Sequence, residues 1–205
     1  MVHAARRLRS GERLLDIGCG AGALGLAVAD RFGVVYGLDV SSDAVRLAQQ
    51  VGVHAQVFEA GAAPIPFADG TFDAVTAMSA LQYVIELEFL LAECWRVLRP
   101  GGQFLASVPN MRAAWRLWTL GVRGDFPRTS VDQPGLDGGA VHYFTTHLIS
   151  DLLVGAGFEV SSRTGIFCLP RWLEGRLDSG PAGHVKREFC SAEVFVEARK
   201  FAGPA

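Results

Sequence analysis

The segment Leu14-Leu15-Asp16-Ile17-Gly18-Cys19-Gly20-Ala21-Gly22 constrains this chain more than any other. An apolar run that reads as a buried strand passes straight into glycines and then into a stretch of helical period. Glycines at such a junction let the backbone turn tightly and approach a ligand closely. The helix behind them offers free N–H groups and the positive end of its dipole. In open parallel sheets, ligands lie beyond the carboxyl ends of the strands, near the switch point. The junction fits an α/β fold, for which a glycine-rich loop alone is weak evidence.

The rest of the chain repeats that alternation. Strands are predicted at Arg13–Ile17, Val34–Asp39, His54–Phe58, Phe72–Met78, Gln103–Val108 and Phe158–Phe167, with a last, antiparallel one at Ala192–Arg199. Helices are predicted at Ala21–Arg31, Ser41–Gln50, Leu87–Leu98, Met111–Leu120 and Thr145–Gly155, with Ser41 and Thr145 as N-caps. Arg6–Arg9 ends a short leading helix, and Pro100-Gly101-Gly102 is a stop and turn signal. The stretches Gly121–Val141 and Leu169–Phe189 hold no strong periodicity. A loop as long as Gly121–Val141 in a compact domain is usually functional or mobile.

With 205 residues and half of them apolar, one domain spanning 1–205 with a sizeable core is expected. Nineteen basic residues against 21 acidic ones give a net charge of -2, which argues against a general nucleic-acid binder. Cys19, Cys94, Cys168 and Cys190 show neither paired metal-ligand spacing nor a disulfide framework, so no metal and a cytoplasmic location are expected. No signal peptide and no run of 18 apolar residues is present, so no membrane span is expected.

Asp39 closes the second strand, 19 residues beyond Gly20. An acid at that position can accept both hydroxyls of an adenosine ribose. Gly18-x-Gly20-x-x-Ala23 formally fits the dinucleotide fingerprint. Asp16, just before the glycines, would repel a pyrophosphate but suit the cationic amino acid tail of S-adenosylmethionine.

Leu14–Gly22, the strand end at Asp39, Pro66-Phe67-Ala68-Asp69-Gly70-Thr71-Phe72-Asp73 and Leu98-Arg99-Pro100-Gly101-Gly102 resemble the successive motifs of class I S-adenosylmethionine-dependent methyltransferases. They stand in the family order and make 10–110 the cofactor-binding core. The resemblance implies a Rossmann-like seven-stranded mixed sheet, last strand antiparallel, with helices on both faces. Val108-Pro109-Asn110, His142-Tyr143-Phe144-Thr145 and Gly155–Val160 resemble a narrower set, methionine-biosynthesis-protein-like and sugar or natural-product tailoring methyltransferases.

Carried onto this sequence, the resemblance implies that Asp16 faces the methionine amino group and that Gly18, Cys19, Gly20 and Gly22 shape the loop around the methionine moiety. Asp39 would hold the ribose, Val40 would pack on adenine, Ala62 would present backbone to it, and Met78 and Ser79 would line the methyl donor. Many relatives carry Asp at the position aligned with Gly61. Here a side-chain contact to adenine is lost there unless Glu59 supplies it.

A hydroxyl acceptor needs a base, and His142 is the first candidate, followed by Tyr83. Gln82, Asn110, Arg112 and Arg116 are candidate acceptor contacts, the two arginines sharing a helix face. Asn110 is read equally as closing a turn, while ordinary loop packing is the favoured reading of Gln82 and a solvated face that of the two arginines. The acceptor pocket is expected from 110–141 and 169–189. The overall expectation is methyl transfer from S-adenosylmethionine, leaving S-adenosylhomocysteine, to the oxygen of a small acceptor, with an anionic sugar or natural-product intermediate as one candidate. A homodimer or partner enzyme is conceivable. The rivals are a binding module without turnover and a nicotinamide-dependent oxidoreductase.

Overall fold

The computed structural model describes residues 2–125, 140–166 and 188–201. The first element is α1 (Val2–Arg7), followed by β1 (Gly11–Ile17), α2 (Ala23–Val28), β2 (Phe32–Asp39), α3 (Ser42–Gln50) and β3 (His54–Val57). Then come β4 (Phe72–Met78), a single 3-10 turn (Leu81–Tyr83), α4 (Leu87–Val97) and β5 (Leu98–Pro109). The chain continues through α5 (Ala114–Trp118), a wide turn (Thr119–Arg123), α6 (Thr146–Gly155), β6 (Phe158–Ile166) and β7 (Glu193–Lys200).

The seven strands form one sheet in the order β3-β2-β1-β4-β5-β7-β6. β1 through β5 pair in parallel, while β7 runs antiparallel to both β5 and β6. This is the expected Rossmann-like mixed sheet. Strand order reverses between β1 and β4, which opens a crevice at their carboxyl ends.

Successive side chains of a strand face opposite sides of the sheet. Leu15, Ile17, Val75, Ala77, Phe104 and Ala106 enter one core with Leu91 and Cys94 of α4 and Ile149 of α6. Leu14, Ala74 and Leu105 enter the other with Ala4 of α1, Leu24 of α2 and Val45 of α3. Both faces are covered, so the central strands read as continuous apolar runs rather than alternating ones.

The predicted caps form: Ser41 Oγ accepts from Ala44 N at 3.3 Å and Thr145 Oγ1 from Leu148 N at 3.1 Å. Two helices start later than predicted. Gly22 holds the left-handed φ of 79°, so α2 begins at Ala23 and not at Ala21. Asn110 Oδ1 captures the N–H of Arg112 at 3.0 Å and holds that segment in a turn, so α5 begins at Ala114 and not at Met111. β5 also starts early, at Leu98, because Leu98 pairs with Phe72 before a bulge and the Pro-Gly-Gly turn lies inside the strand. Residues 126–139 and 167–187 lie outside the described residues, and with them most of the two stretches expected to form the acceptor pocket. No helix among the described residues is long and apolar enough to cross a membrane.

Candidate functional site

The glycine loop is held at its base by the neighbouring strand. Leu38 O accepts from Gly18 N at 2.7 Å and from Cys19 N at 3.1 Å. Gly18, Gly20 and Gly22 all take positive φ, at 69°, 52° and 79°. At Gly18 a Cβ would stand 2.7 Å from the Ala80 side chain, whereas at Gly20 it would meet nothing within 4 Å. The loop is thus packed at its start and open at its middle. Cys19 turns inward, its sulfur 2.6 Å from where a Gly37 Cβ would be, and burial pushes its thiol up to about 12. That thiol stays protonated and serves packing.

Asp39 joins the loop to the second strand. Its Oδ2 accepts from Gly20 N at 2.8 Å and its Oδ1 from Ser41 N at 2.9 Å. Each carboxylate oxygen accepts two hydrogen bonds, so both retain one site for a ligand hydroxyl. Asp16 lies deeper, 2% exposed, with Oδ1 accepting from Thr76 Oγ1 at 2.6 Å. Burial pushes its carboxyl up to about 7 against the opposing hydrogen bond from Thr76. A cation brought beside it would restore the charged form.

A cleft of about 550 Å³ opens at the switch point. Ile17, Gly18, Asp39 and Val40 form one side, Phe58 to Ala62 a second, and Ser79, Ala80 and Tyr83 to Glu86 a third. Gly61 explains the departure from the family pattern. Its φ is 91°, and a Cβ there would stand 2.8 Å from Val84 Cγ1 and 3.2 Å from Glu86 O. The loop therefore comes against the far wall with bare backbone, and Glu59 and Glu86 are the acidic residues that line the cleft beside it.

Further along, the loop is anchored by residues the sequence reading missed. Arg96 donates to Phe67 O at 2.8 Å and Ile65 O at 2.9 Å, and pairs with Asp69 and Glu93, each at 2.7 Å. Glu93 accepts from Ile65 N at 2.7 Å, and the Arg96 guanidinium holds its carboxyl below the usual range. The only sequence signal was a helical i,i+3 Glu/Arg pair, which normally marks a solvated face.

Of the remaining candidates, Tyr83 lines the cleft and is 40% exposed. Gln82 is buried, donates Nε2 to Ser79 O at 2.8 Å, and through its backbone carbonyl accepts from Val141 N and His142 N. The His142 ring stands 3.4 Å from Ile85 O, outside the lining of the cleft. Asp16, Cys19, Gly20, Gly22 and Met78 do not line the cleft either. Asn110, Arg112 and Arg116 gather elsewhere, around the start of β7. Asn110 Nδ2 donates to Glu188 O and Ser191 O, Arg116 to Asn110 O and Ala192 O, and Arg112 pairs with Glu188. There the arrangement is a latch between chain segments. No cluster among the described residues has a metal-binding donor set.

Known proteins resemble this chain in sequence and in fold. A family described as a methyltransferase domain matches residues 15–106. A protein of Mycolicibacterium smegmatis named "Probable S-adenosylmethionine-dependent methyltransferase" is 30% identical over 162 residues, which is 77% of this chain and 56% of that one. A ubiquinone biosynthesis O-methyltransferase of Xanthomonas campestris is 35% identical over 127 residues, 58% of this chain and 52% of that one. The chain thus spans about half the length of these curated relatives. Among solved structures, a Mesorhizobium loti S-adenosylmethionine-dependent methyltransferase gives a TM-score of 0.68 at 20% identity, covering 97% of this chain and 95% of that one. The cyclase SpnF gives 0.70 at 24% identity, covering 98% and 80%. A Haloferax volcanii complex of a methyltransferase and its activator gives 0.69 at 21% identity, covering 98% and 88%. These structures share the fold.

Proposed function

The chain belongs to the class I S-adenosylmethionine-dependent methyltransferase family, and on that premise we propose that it transfers a methyl group from S-adenosylmethionine to the oxygen of a small-molecule acceptor. The observation that carries this reading is the Asp39 carboxylate. It stands at the switch-point cleft, tied to the glycine loop, with an acceptor site left on each oxygen.

The residues present fit the cofactor. Asp39 would accept the two ribose hydroxyls. The bare backbone at Gly61 and Ala62 and the exposed side chain of Val40 would hold adenine between them. Asp16, buried without a cationic partner among the described residues, would balance the cofactor's ammonium. The cofactor supplies an activated methyl group on a sulfonium, so the protein's share of the rate is chiefly positioning. Ser79 at the end of β4 borders the cleft and sets where an acceptor meets it. Transfer to oxygen is supported by the likeness to the ubiquinone biosynthesis O-methyltransferase. Free Cys19 and Cys94, both buried, suit a cytoplasmic setting.

One observation favours a second reading, in which activity requires a partner. A solved structure of this fold is a methyltransferase with its activator, and here Trp115, Trp118 and Val122 are 45%, 51% and 67% exposed. Incubating the purified chain with labelled S-adenosylmethionine and a panel of phenols, sugars and carboxylic acids tests the proposal. Label in a methyl ether supports it. Tight cofactor binding with no transfer to any of them supports the partner-dependent reading, and a fluorescence response to NADH without S-adenosylmethionine binding would contradict both.

A further inference from the structure

A second cavity, of about 220 Å³, lies behind Ser79. Ser79 is the one residue that lines both it and the main cleft. Its far side is built from the ends of β5 and β7. There Glu193, the first residue of β7, lies opposite Pro109, and Phe195 opposite Ser107. The antiparallel register thus carries a carboxylate to the same sheet end as the glycine loop, where the parallel strands also deliver their functional groups.

Three polar side chains connect there. Ser79 Oγ donates to Glu193 Oε1 at 3.2 Å. With that proton committed, Ser107 Oγ at 3.2 Å is left to donate to Ser79. Ser107 is buried and also accepts from Ser79 N at 3.1 Å, while Ser107 O accepts from the same N–H at 3.0 Å. These bonds hold Ser79 at a φ of 52°, a left-handed conformation costly for a residue with a Cβ. Strain of this kind persists where surrounding structure imposes it, and it gathers at functional sites. Among the described residues Glu193 forms no ion pair, so a partly buried carboxylate faces the cavity with one hydroxyl as its partner.

One side of the cavity is apolar, opposite the polar side chains of Ser79, Ser107 and Glu193. Met78, Ile166 and Phe195 line the cavity, and His3 stands edge-on to Phe195 with ring centroids 4.7 Å apart. An apolar cavity of about 150 Å³ accommodates benzene, so this one has room for a substituted ring. We infer that this second cavity receives the ring of a phenolic acceptor, and that Glu193, held by Ser79 and Ser107, takes the proton from its hydroxyl. The inference rests on the methyltransferase reading and adds an acceptor class and a base to it. In the transfer, the acceptor oxygen forms the new carbon–oxygen bond as the carbon–sulfur bond breaks with its electron pair on sulfur. The hydroxyl proton passes to the Glu193 carboxylate and then to solvent.

Catechol is a suitable probe, with Met labelled at its methyl carbon to report on Met78. Adding catechol to protein saturated with S-adenosylhomocysteine should shift the Met78 signal. E193Q should lower catechol methylation at least about 100-fold, the usual contribution of a general base. It should leave S-adenosylhomocysteine affinity within about twofold of wild type, since Glu193 is outside the main cleft. E193D should recover part of the rate. An unmoved Met78 signal, wild-type turnover in E193Q, or preference for benzylamine over catechol would overturn the inference. Failure of S-adenosylhomocysteine to bind wild type would instead sink the methyltransferase reading, and the Met78 response to catechol alone would still decide what the cavity accepts.

Discussion

The carboxylate of Asp39 accepts the backbone N–H of Gly20 at 2.8 Å. One hydrogen bond thereby fixes the acid at the end of the second strand to the loop after the first. The two features legible as separate motifs are one structural unit, and a ligand bound by either is positioned by both.

Asp16 should make stability and cofactor affinity respond to pH in opposite ways. Its carboxyl is raised from 3.8 to about 7 by burial. The folded protein therefore keeps a proton that the unfolded chain has released, and stability falls as pH rises from about 4 to about 7. The slope from this group is about 1.4 kcal/mol per pH unit. Denaturation across that range should show the slope in wild type and not in Asp16→Asn. A cationic ligand expels the proton, so affinity for S-adenosylmethionine should rise with pH up to about 7. Calorimetry in buffers of different ionisation enthalpy should detect proton release in wild type alone.

Gly61→Ala should be destabilising by about 1–3 kcal/mol, the range for a side chain forced into such a backbone region. The added methyl would stand 2.8 Å from Val84 Cγ1. Cofactor affinity should fall with it, because the loop must retreat from the wall it touches. Thermal denaturation and titration with S-adenosylhomocysteine check both effects. Gly61→Asp should bind no better than Gly61→Ala, since the backbone and not the missing carboxylate sets the loop.

Arg96→Ala should weaken cofactor binding from a distance. It removes the donors to Phe67 O and Ile65 O together with the bridges to Asp69 and Glu93. A loss of about 2–3 kcal/mol in stability is expected for charge-assisted bonds in a partly exposed site. Hydrogen exchange should rise in 58–70 and not in the glycine loop. Uniform exchange would contradict the anchoring role.

Asn110→Ala should cost about 2–3 kcal/mol by leaving the carbonyls of Glu188 and Ser191 without their donor. The same segment carries Ala192 into Glu193, so catechol turnover should fall while S-adenosylhomocysteine affinity holds. Equal losses in both would place Asn110 in the cofactor site instead.

The sheet, its order of elements and the gathering of four of the named residues at one cleft were legible because strand ends and glycines are local signals. Gly18, Asp39, Val40 and Ser79 come together as the motif order implies. Asn110, Arg112 and Arg116 were less legible, because an amide and two guanidiniums look alike whether they meet a ligand or a backbone carbonyl. Glu193 carried no signal at all. It lies 114 residues from Ser79, and only the antiparallel register of the last strand joins them.

The central claim is that Asp39 and the glycine loop hold S-adenosylmethionine. Calorimetric titration of S-adenosylhomocysteine into wild type and Asp39→Ala tests it most directly, with Asp39→Asn as a control for the bonds to Gly20 and Ser41. Wild type should bind, and Asp39→Ala should lose about 2–4 kcal/mol, or roughly 30- to 1000-fold in affinity. Absence of binding in wild type, or equal binding in a folded Asp39→Ala, would contradict the claim.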